Sequence, residues 1–214
     1  MTNDVPVAIP LRRRLLYLHY RVLHWIQGIR YRLGMWDASV GMPHAVKRRV
    51  VRDYASRYGA RTLVETGTYL GDMIAAMARS FETLHSIELS EEFYAKARAR
   101  FARRPHIHLH HGDSASELPG IVAGLSGRAL FWLDAHYSGG ATARGTIDTP
   151  IAQELREIFR RNAPGHVLLV DDARSFNGTA DYPTIDGVRE IVASLDPHYS
   201  VEVVDDIIRI TPPR

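Results

Sequence analysis

Thr62-Leu63-Val64-Glu65-Thr66-Gly67-Thr68-Tyr69-Leu70-Gly71-Asp72 is the stretch whose reading decides the fold. It begins with a short apolar run, Thr62–Glu65, that suits a buried strand. The run breaks into two glycines four apart, after which a helical pattern starts. Glycine turns tightly at positive φ and lets a ligand come close to the backbone. Strand, glycine turn and helix in that order form the first βα unit of an α/β layer. Turns of this kind are common after strands, so a plain connection is an equally good reading until the rest of the chain is considered.

Outward from this stretch the same alternation repeats. Further strands are expected at Leu84–Glu88, Ile107–His110, Ala129–Asp134 and Val167–Asp171. Helices fit near 44–58, 71–80, 90–103, 114–124, 150–162 and 184–195, with Thr149 and Pro150 as N-cap and first turn of the fifth. Ser200–Val204 and Ile207–Ile210 read as a final strand pair turning at Asp205-Asp206. Alternating β and α segments imply a mostly parallel sheet covered on both faces.

Upstream, Leu11, Leu15, Leu18, Val22, Trp25, Ile29 and Leu33 recur at steps of three and four, the stripe of an amphipathic helix. Pro10 is placed to start it and Gly34 to stop it. We therefore expect an extension over residues 1–42 and a catalytic domain over 43–214. Of the net charge of +3, residues 1–36 carry +5 through Arg12, Arg13, Arg14, Arg21, Arg30 and Arg32 against Asp4, so the remainder sums to −2. A domain built for nucleic acid spreads its positive charge over its working face. The near-neutral remainder instead suits a small or uncharged acceptor. The helix can cover the domain or a second copy of the chain, lie on a membrane surface through its arginines and aromatics, or carry a phosphate-binding arm, the least favoured of the three.

The chain has 214 residues, 45% of them hydrophobic and 24% charged, enough for a sizeable core. Cysteine is absent, which excludes disulfides, thiolate metal sites and a thiol nucleophile. Neither a secretory signal nor a long uncharged apolar run is visible. The expected location is cytoplasmic, with a peripheral membrane contact left open.

In open α/β sheets ligands bind beyond the carboxyl ends of the strands. The first end carries Glu65, Gly67, Thr68 and Gly71. The second carries Glu88, 23 positions beyond Glu65 and placed where a nucleotide site takes ribose hydroxyls. Its plainer role is to cap the next helix, although Ser90 can do that by itself. The third is followed by Asp113 and Ser114, which can meet an adenine amino group or simply start a helix, Ser114 being the favoured cap.

Acids at three successive strand ends, with a glycine turn at the first, resemble the class I S-adenosylmethionine-dependent methyltransferases. The resemblance covers roughly residues 44–211. It implies a Rossmann-like, doubly wound, mostly parallel seven-stranded sheet with an antiparallel last strand, preceded here by the amphipathic helix. It also implies that Glu65, Gly67, Thr68 and Gly71 cradle the methionine part of S-adenosylmethionine, that Glu88 takes the ribose, and that Asp113 with Ser114 takes the adenine. A nicotinamide site is a weaker reading, because the first turn lacks G-x-G-x-x-G.

The fourth strand end carries Asp134-Ala135-His136-Tyr137, and the fifth Asp171-Asp172. Acids meeting at one rim need a positive partner, and a hard divalent ion such as Mg²⁺ suits oxygen ligands. The arrangement is similar to the metal-dependent O-methyltransferases of catechol type and of sugar-modifying type. That similarity implies Asp134, Asp171 and Asp172 as metal ligands, with Asp134 also bordering the cofactor, and a small-molecule or saccharide hydroxyl as acceptor. The catechol-type pattern has a lysine three past its first aspartate. Tyr137 stands there, so that base is not carried over, and His136 is the candidate proton acceptor beside Asp134. No Asn/Asp-Pro-Pro-aromatic motif follows the fourth strand, which favours oxygen over nitrogen. The loop 138–149 with Arg144 is a candidate lid, and Arg174, Ser175, Phe176 and Asn177 are candidate pocket residues. The rivals are metal-free methylation of another nucleophile and a non-catalytic nucleoside-binding module.

Overall fold

A computed structural model describes residues 22–23, 26–31, 33–37, 41–134, 149–160 and 165–213. His136, Arg144 with the loop 138–148, and the first 21 residues with Pro10 and Arg12–Arg14 lie outside the described residues. The chain divides into two compact units, Met1–Lys47 and Arg48–Arg214.

In the first unit residues 22–23 and 26–31 are helical. Gly34 ends this helix as expected. It sits at φ 68°, its amide donates to Tyr31 O, and Met35 N donates to Arg30 O. These paired bonds make a Schellman cap, which needs a left-handed residue just past the last turn.

In the second unit, elements alternate as read. The order is α1 (His44–Tyr58, which starts in the first unit), β1 (Thr62–Thr66), α2 (Asp72–Met77), β2 (Thr83–Glu88), α3 (Glu91–Phe101), β3 (Ile107–His111) and α4 (Ser114–Gly124). Then follow β4 (Ala129–Leu133), α5 (Ile151–Phe159), β5 (Val167–Val170), a short 3-10 turn (Ala173–Ser175), α6 (Ile185–Leu195), β6 (Ser200–Val204) and β7 (Ile207–Thr211). Expected ends and observed ends differ mainly by one to three residues, with the largest shifts where a last turn frays. The N-cap of α5 is Pro150 rather than the expected Thr149, so the helix starts one residue later than the Thr-Pro pair suggests; Thr149 Oγ1 still accepts from Ile151 N at 3.5 Å.

The seven strands form one sheet in the order β3-β2-β1-β4-β5-β7-β6. Pairs among β1 to β5 are parallel, and β7 runs antiparallel to both β5 and β6. Every residue of β4 and β5 is buried, which only a sheet covered on both faces requires. On one face Val64, Ile87, Phe131 and Leu168 meet Leu118, Leu155 and Val188 from α4, α5 and α6. Strand order reverses between β1 and β4, so the crevice of the fold opens at their carboxyl ends. Among the described residues no helix is long and apolar enough to cross a membrane.

At the opposite end, His166 is buried and its Nδ1 accepts the amide of Ala129 at 3.0 Å. Burial, with Arg128 nearby, pushes its pKa down to about 4. At the β2–β3 edge, burial and the neighbouring His110 and His108 hold His85 at about 4 as well. A histidine depressed in the folded state lets the unfolded chain bind protons first, so its contribution is lost as pH falls from about 6.5 towards 4. Buried Glu65, with a raised pKa, works in the opposite sense, so the test is a difference. Between pH 7 and 5, His166→Gln is expected to reduce the loss of stability by about 2 kcal/mol relative to wild type, read from urea midpoints. Equal slopes for the two proteins would show that His166 is not held neutral.

Candidate active site

The glycine turn is built from the strand next to it. Gly67 N and Thr68 N both donate to Ile87 O, at 3.0 and 3.2 Å. Gly67 therefore serves by its backbone shape, at φ 85°, while its amide is spent on β2. Under the turn runs a buried chain of hydrogen bonds. Thr68 Oγ1 and Ser86 Oγ lie 2.6 Å apart, and Ser86 Oγ donates to Glu65 Oε2 at 2.5 Å. Glu65 is 2% exposed. Burial pushes its pKa well above the usual carboxylate range; Ser86 opposes this, and the negative charges of Asp134, Glu88 and Asp72 add to it.

Glu88 lies at the end of β2, 7% exposed. Its Oε2 accepts Tyr69 N at 2.7 Å and its Oε1 accepts Ser90 N at 2.8 Å. Each oxygen keeps a further lone pair, since an ionised carboxylate offers about four acceptor sites. Ser90 separately caps α3 through Phe93 N. The two roles weighed for Glu88 are thus divided: Ser90 caps, and Glu88 braces the glycine turn.

Gly71 sits at φ 73°, and a Cβ there would lie 2.7 Å from Phe101 Cε2. Arg100, beside Phe101, bonds the carbonyl of Leu70 and, at 2.8 Å, Asp72 Oδ1. Packing against α3 thus accounts for a glycine here. At the third strand end the cap of α4 is Asp113, accepting Ala115 N at 3.0 Å, and Ser114 is the buried first residue of the helix. This corrects the expectation that Ser114 is the cap: the chain enters the helix one residue earlier than a Ser114 cap would require.

Asp134 follows β4 and stands beside the turn, its amide donating to Thr66 O at 3.1 Å and towards Thr66 Oγ1 at 3.3 Å. Asp171 is 1% exposed, and its amide donates to Leu133 O at 3.0 Å. Asp172 turns into the left-handed region at φ 53°, and its Oδ1 accepts Arg174 Nη1 at 2.8 Å. Among the described residues no three His, Asp or Glu side chains stand together as a metal would require, Asp134, Asp171 and Asp172 included. An arginine has taken up Asp172. Arg174, expected from sequence as a pocket residue, is the cation that pairs with Asp172.

The carboxylates of Glu88 and Asp134, at the ends of β2 and β4, and of Asp72, at the start of α2, all act on the buried Glu65 carboxyl. A donor set of that charge fits a cationic ligand, and S-adenosylmethionine carries a sulfonium and an ammonium.

No protein-family model and no curated protein matches the chain. Solved structures do. An O-methyltransferase from Bacillus cereus in complex with SAH is 17% identical over 78% of this chain and 81% of its own, with a TM-score of 0.60. The O-methyltransferase TomG from Streptomyces achromogenes, involved in tomaymycin synthesis and solved with SAM, is 20% identical over 78% and 79%, with a TM-score of 0.56. The N-methyltransferase NodS from Bradyrhizobium japonicum WM9 is 13% identical over 79% and 96%, with a TM-score of 0.53. The sheet order, the glycine turn and these likenesses together give one conclusion: the chain has the fold of the class I S-adenosylmethionine-dependent methyltransferases.

Proposed function

We propose that this chain is an S-adenosylmethionine-dependent methyltransferase acting on a hydroxyl of a small molecule or saccharide. The observation that carries the reading is the bracing of the glycine turn by Glu88. One carboxylate fixes Tyr69 and Ser90 and still offers lone pairs at the carboxyl end of β2, where a ribose would lie. Asp134 supplies negative charge for the methionine ammonium beside the buried Glu65 carboxyl, Gly67, Thr68 and Gly71 shape the turn, and Asp113 with Ser114 borders the adenine.

When bound, S-adenosylmethionine supplies a methyl group on a cationic sulfur. The protein's part is to align an acceptor oxygen for in-line displacement and to remove its proton. The oxygen–methyl bond forms as the sulfur–methyl bond breaks, and the acceptor's proton passes to His136 or Asp134. His136 is assigned from its place in sequence, two residues beyond Asp134. The Mg²⁺ expected from sequence does not fit the rim, because Asp172 is already paired with Arg174. No step is routed through it.

The acceptor oxygen is favoured by the absence of a proline motif after β4 and by the O-methyltransferases among the structural likenesses. NodS keeps nitrogen as the second reading. Calorimetry with S-adenosylhomocysteine tests the cofactor, with micromolar binding expected. Mass spectrometry of a panel of hydroxyl and amine acceptors tests the atom, with one added methyl expected on the hydroxyl compounds. Absence of cofactor binding would end the methyltransferase reading. Methylation confined to amines would end the oxygen reading alone.

A further inference from the structure

The last strand pair returns to the acceptor rim. Because β7 is antiparallel to β5, with Ile208 opposite Val170, its first residues lie beside the end of β5. The turn Asp205-Asp206, both residues at positive φ, therefore stands at the same edge as Asp171 and Asp172. It is tied down there. Ala173 N donates to Asp206 O at 2.9 Å, and Arg174 N to Asp206 Oδ1 at 2.8 Å. The Arg174 guanidinium then bridges two carboxylates through Nη1, Asp172 Oδ1 at 2.8 Å and Asp206 Oδ2. Those carboxylates are 16% and 10% exposed, while the arginine side chain is 37% exposed.

We infer that Arg174 is the resident cation of the acceptor rim, and that the rim acids work without a divalent ion. This rests on the methyltransferase reading for its catalytic meaning, but not for its charge argument. Several acids at one edge need a positive partner, and the chain supplies one covalently. A guanidinium stays charged at every pH the protein meets and engages carboxylates in a fixed planar geometry. To bind there, Mg²⁺ would have to pull Asp172 from Arg174 and leave a fixed positive charge beside itself. The hairpin turn adds a purpose to the pairing. By holding Asp206 and Asp172 together, Arg174 sets the turn that follows β5, and so positions the acidic rim against which an acceptor would dock. It is a positioning residue with an electrostatic part.

The test starts from the intact chain and Mn²⁺ followed by electron paramagnetic resonance. Wild type is expected to bind Mn²⁺ with a dissociation constant above roughly 1 mM, weaker than dedicated carboxylate sites. Arg174→Met, which keeps bulk and removes charge, is expected to bind it at least about tenfold more tightly, since its acids have lost their cation. Asp206→Asn leaves the Arg174–Asp172 pair and is expected to change Mn²⁺ affinity less. Turnover of an acceptor found in the panel should be unchanged by chelator in wild type. It should fall in Arg174→Met and recover in part in Arg174→Lys. Stoichiometric Mn²⁺ binding by wild type at tens of micromolar, or turnover lost with chelator and restored by Mg²⁺, overturns the inference. Wild type alone decides this if Arg174→Met fails to fold. S-adenosylhomocysteine calorimetry on the same samples keeps the two claims apart: without cofactor binding the methyltransferase reading falls, and the Mn²⁺ result still stands or falls on its own.

Discussion

Glu88→Ala is expected to weaken S-adenosylhomocysteine binding about 100-fold, measured by calorimetry, while the chain stays folded. Two losses add. The carboxylate that would accept ribose hydroxyls is gone, and each charge-assisted bond of that kind contributes about 1.5–3 kcal/mol. The amides of Tyr69 and Ser90 also lose their acceptor, which frees the backbone of the glycine turn to leave its bound shape. Glu88→Gln separates the two. Its amide oxygen still accepts one of the two backbone bonds, but it has no charge and one fewer acceptor. About a tenfold loss is expected of it, between wild type and alanine. An alanine variant within threefold of wild type would remove Glu88 from the cofactor site and leave it as a brace.

How much of this was legible in the sequence depends on how far apart the partners are. The strand ends were readable because a strand, its terminal acid and the following turn are contiguous, as in Thr62–Gly71. The sheet was readable because alternation alone implies parallel pairing. The partnership of Gly71 with Phe101 was not, because the two are joined only when α3 packs back on the turn. The phenyl ring gives a reason for the glycine at 71 that is independent of any ligand.

The partners at the rim were the least legible part. Asp171 and Asp172 were correctly placed beyond β5, and Asp205-Asp206 correctly at a turn, yet their meeting depends on β7 running antiparallel beside β5. That signal was present. A final strand that enters antiparallel next to β5 must start at the carboxyl rim, so its preceding turn belongs to the site. Arg174, 32 residues before Asp206, was the cation that the acid cluster called for. His136 and the loop around Arg144 lie outside the described residues.

Gly71→Ala is expected to destabilise the fold by about 3 kcal/mol, lowering the melting temperature by roughly 6–12 °C for a domain of this size. The figure joins two terms. A non-glycine residue at φ 73° meets the left-handed penalty of about 1–2 kcal/mol. The new methyl would stand 2.7 Å from Phe101 Cε2 and 3.1 Å from Cζ, and such overpacking costs about 1–3 kcal/mol. Phe101 is 5% exposed and Arg100 is tied to Asp72 beside it, so the ring has little room to retreat. The double variant Gly71→Ala/Phe101→Leu isolates the second term. If the clash is real, leucine returns part of the lost stability in the alanine background while lowering it in wild type, a coupling of about 1–2 kcal/mol. Additive effects would mean that the glycine is required by its φ alone. Cofactor affinity then divides the structural account from the ligand account. If Gly71 serves packing, the loss of affinity in Gly71→Ala is recovered with stability in the double variant. If it serves the ligand directly, affinity stays low after the fold is restored.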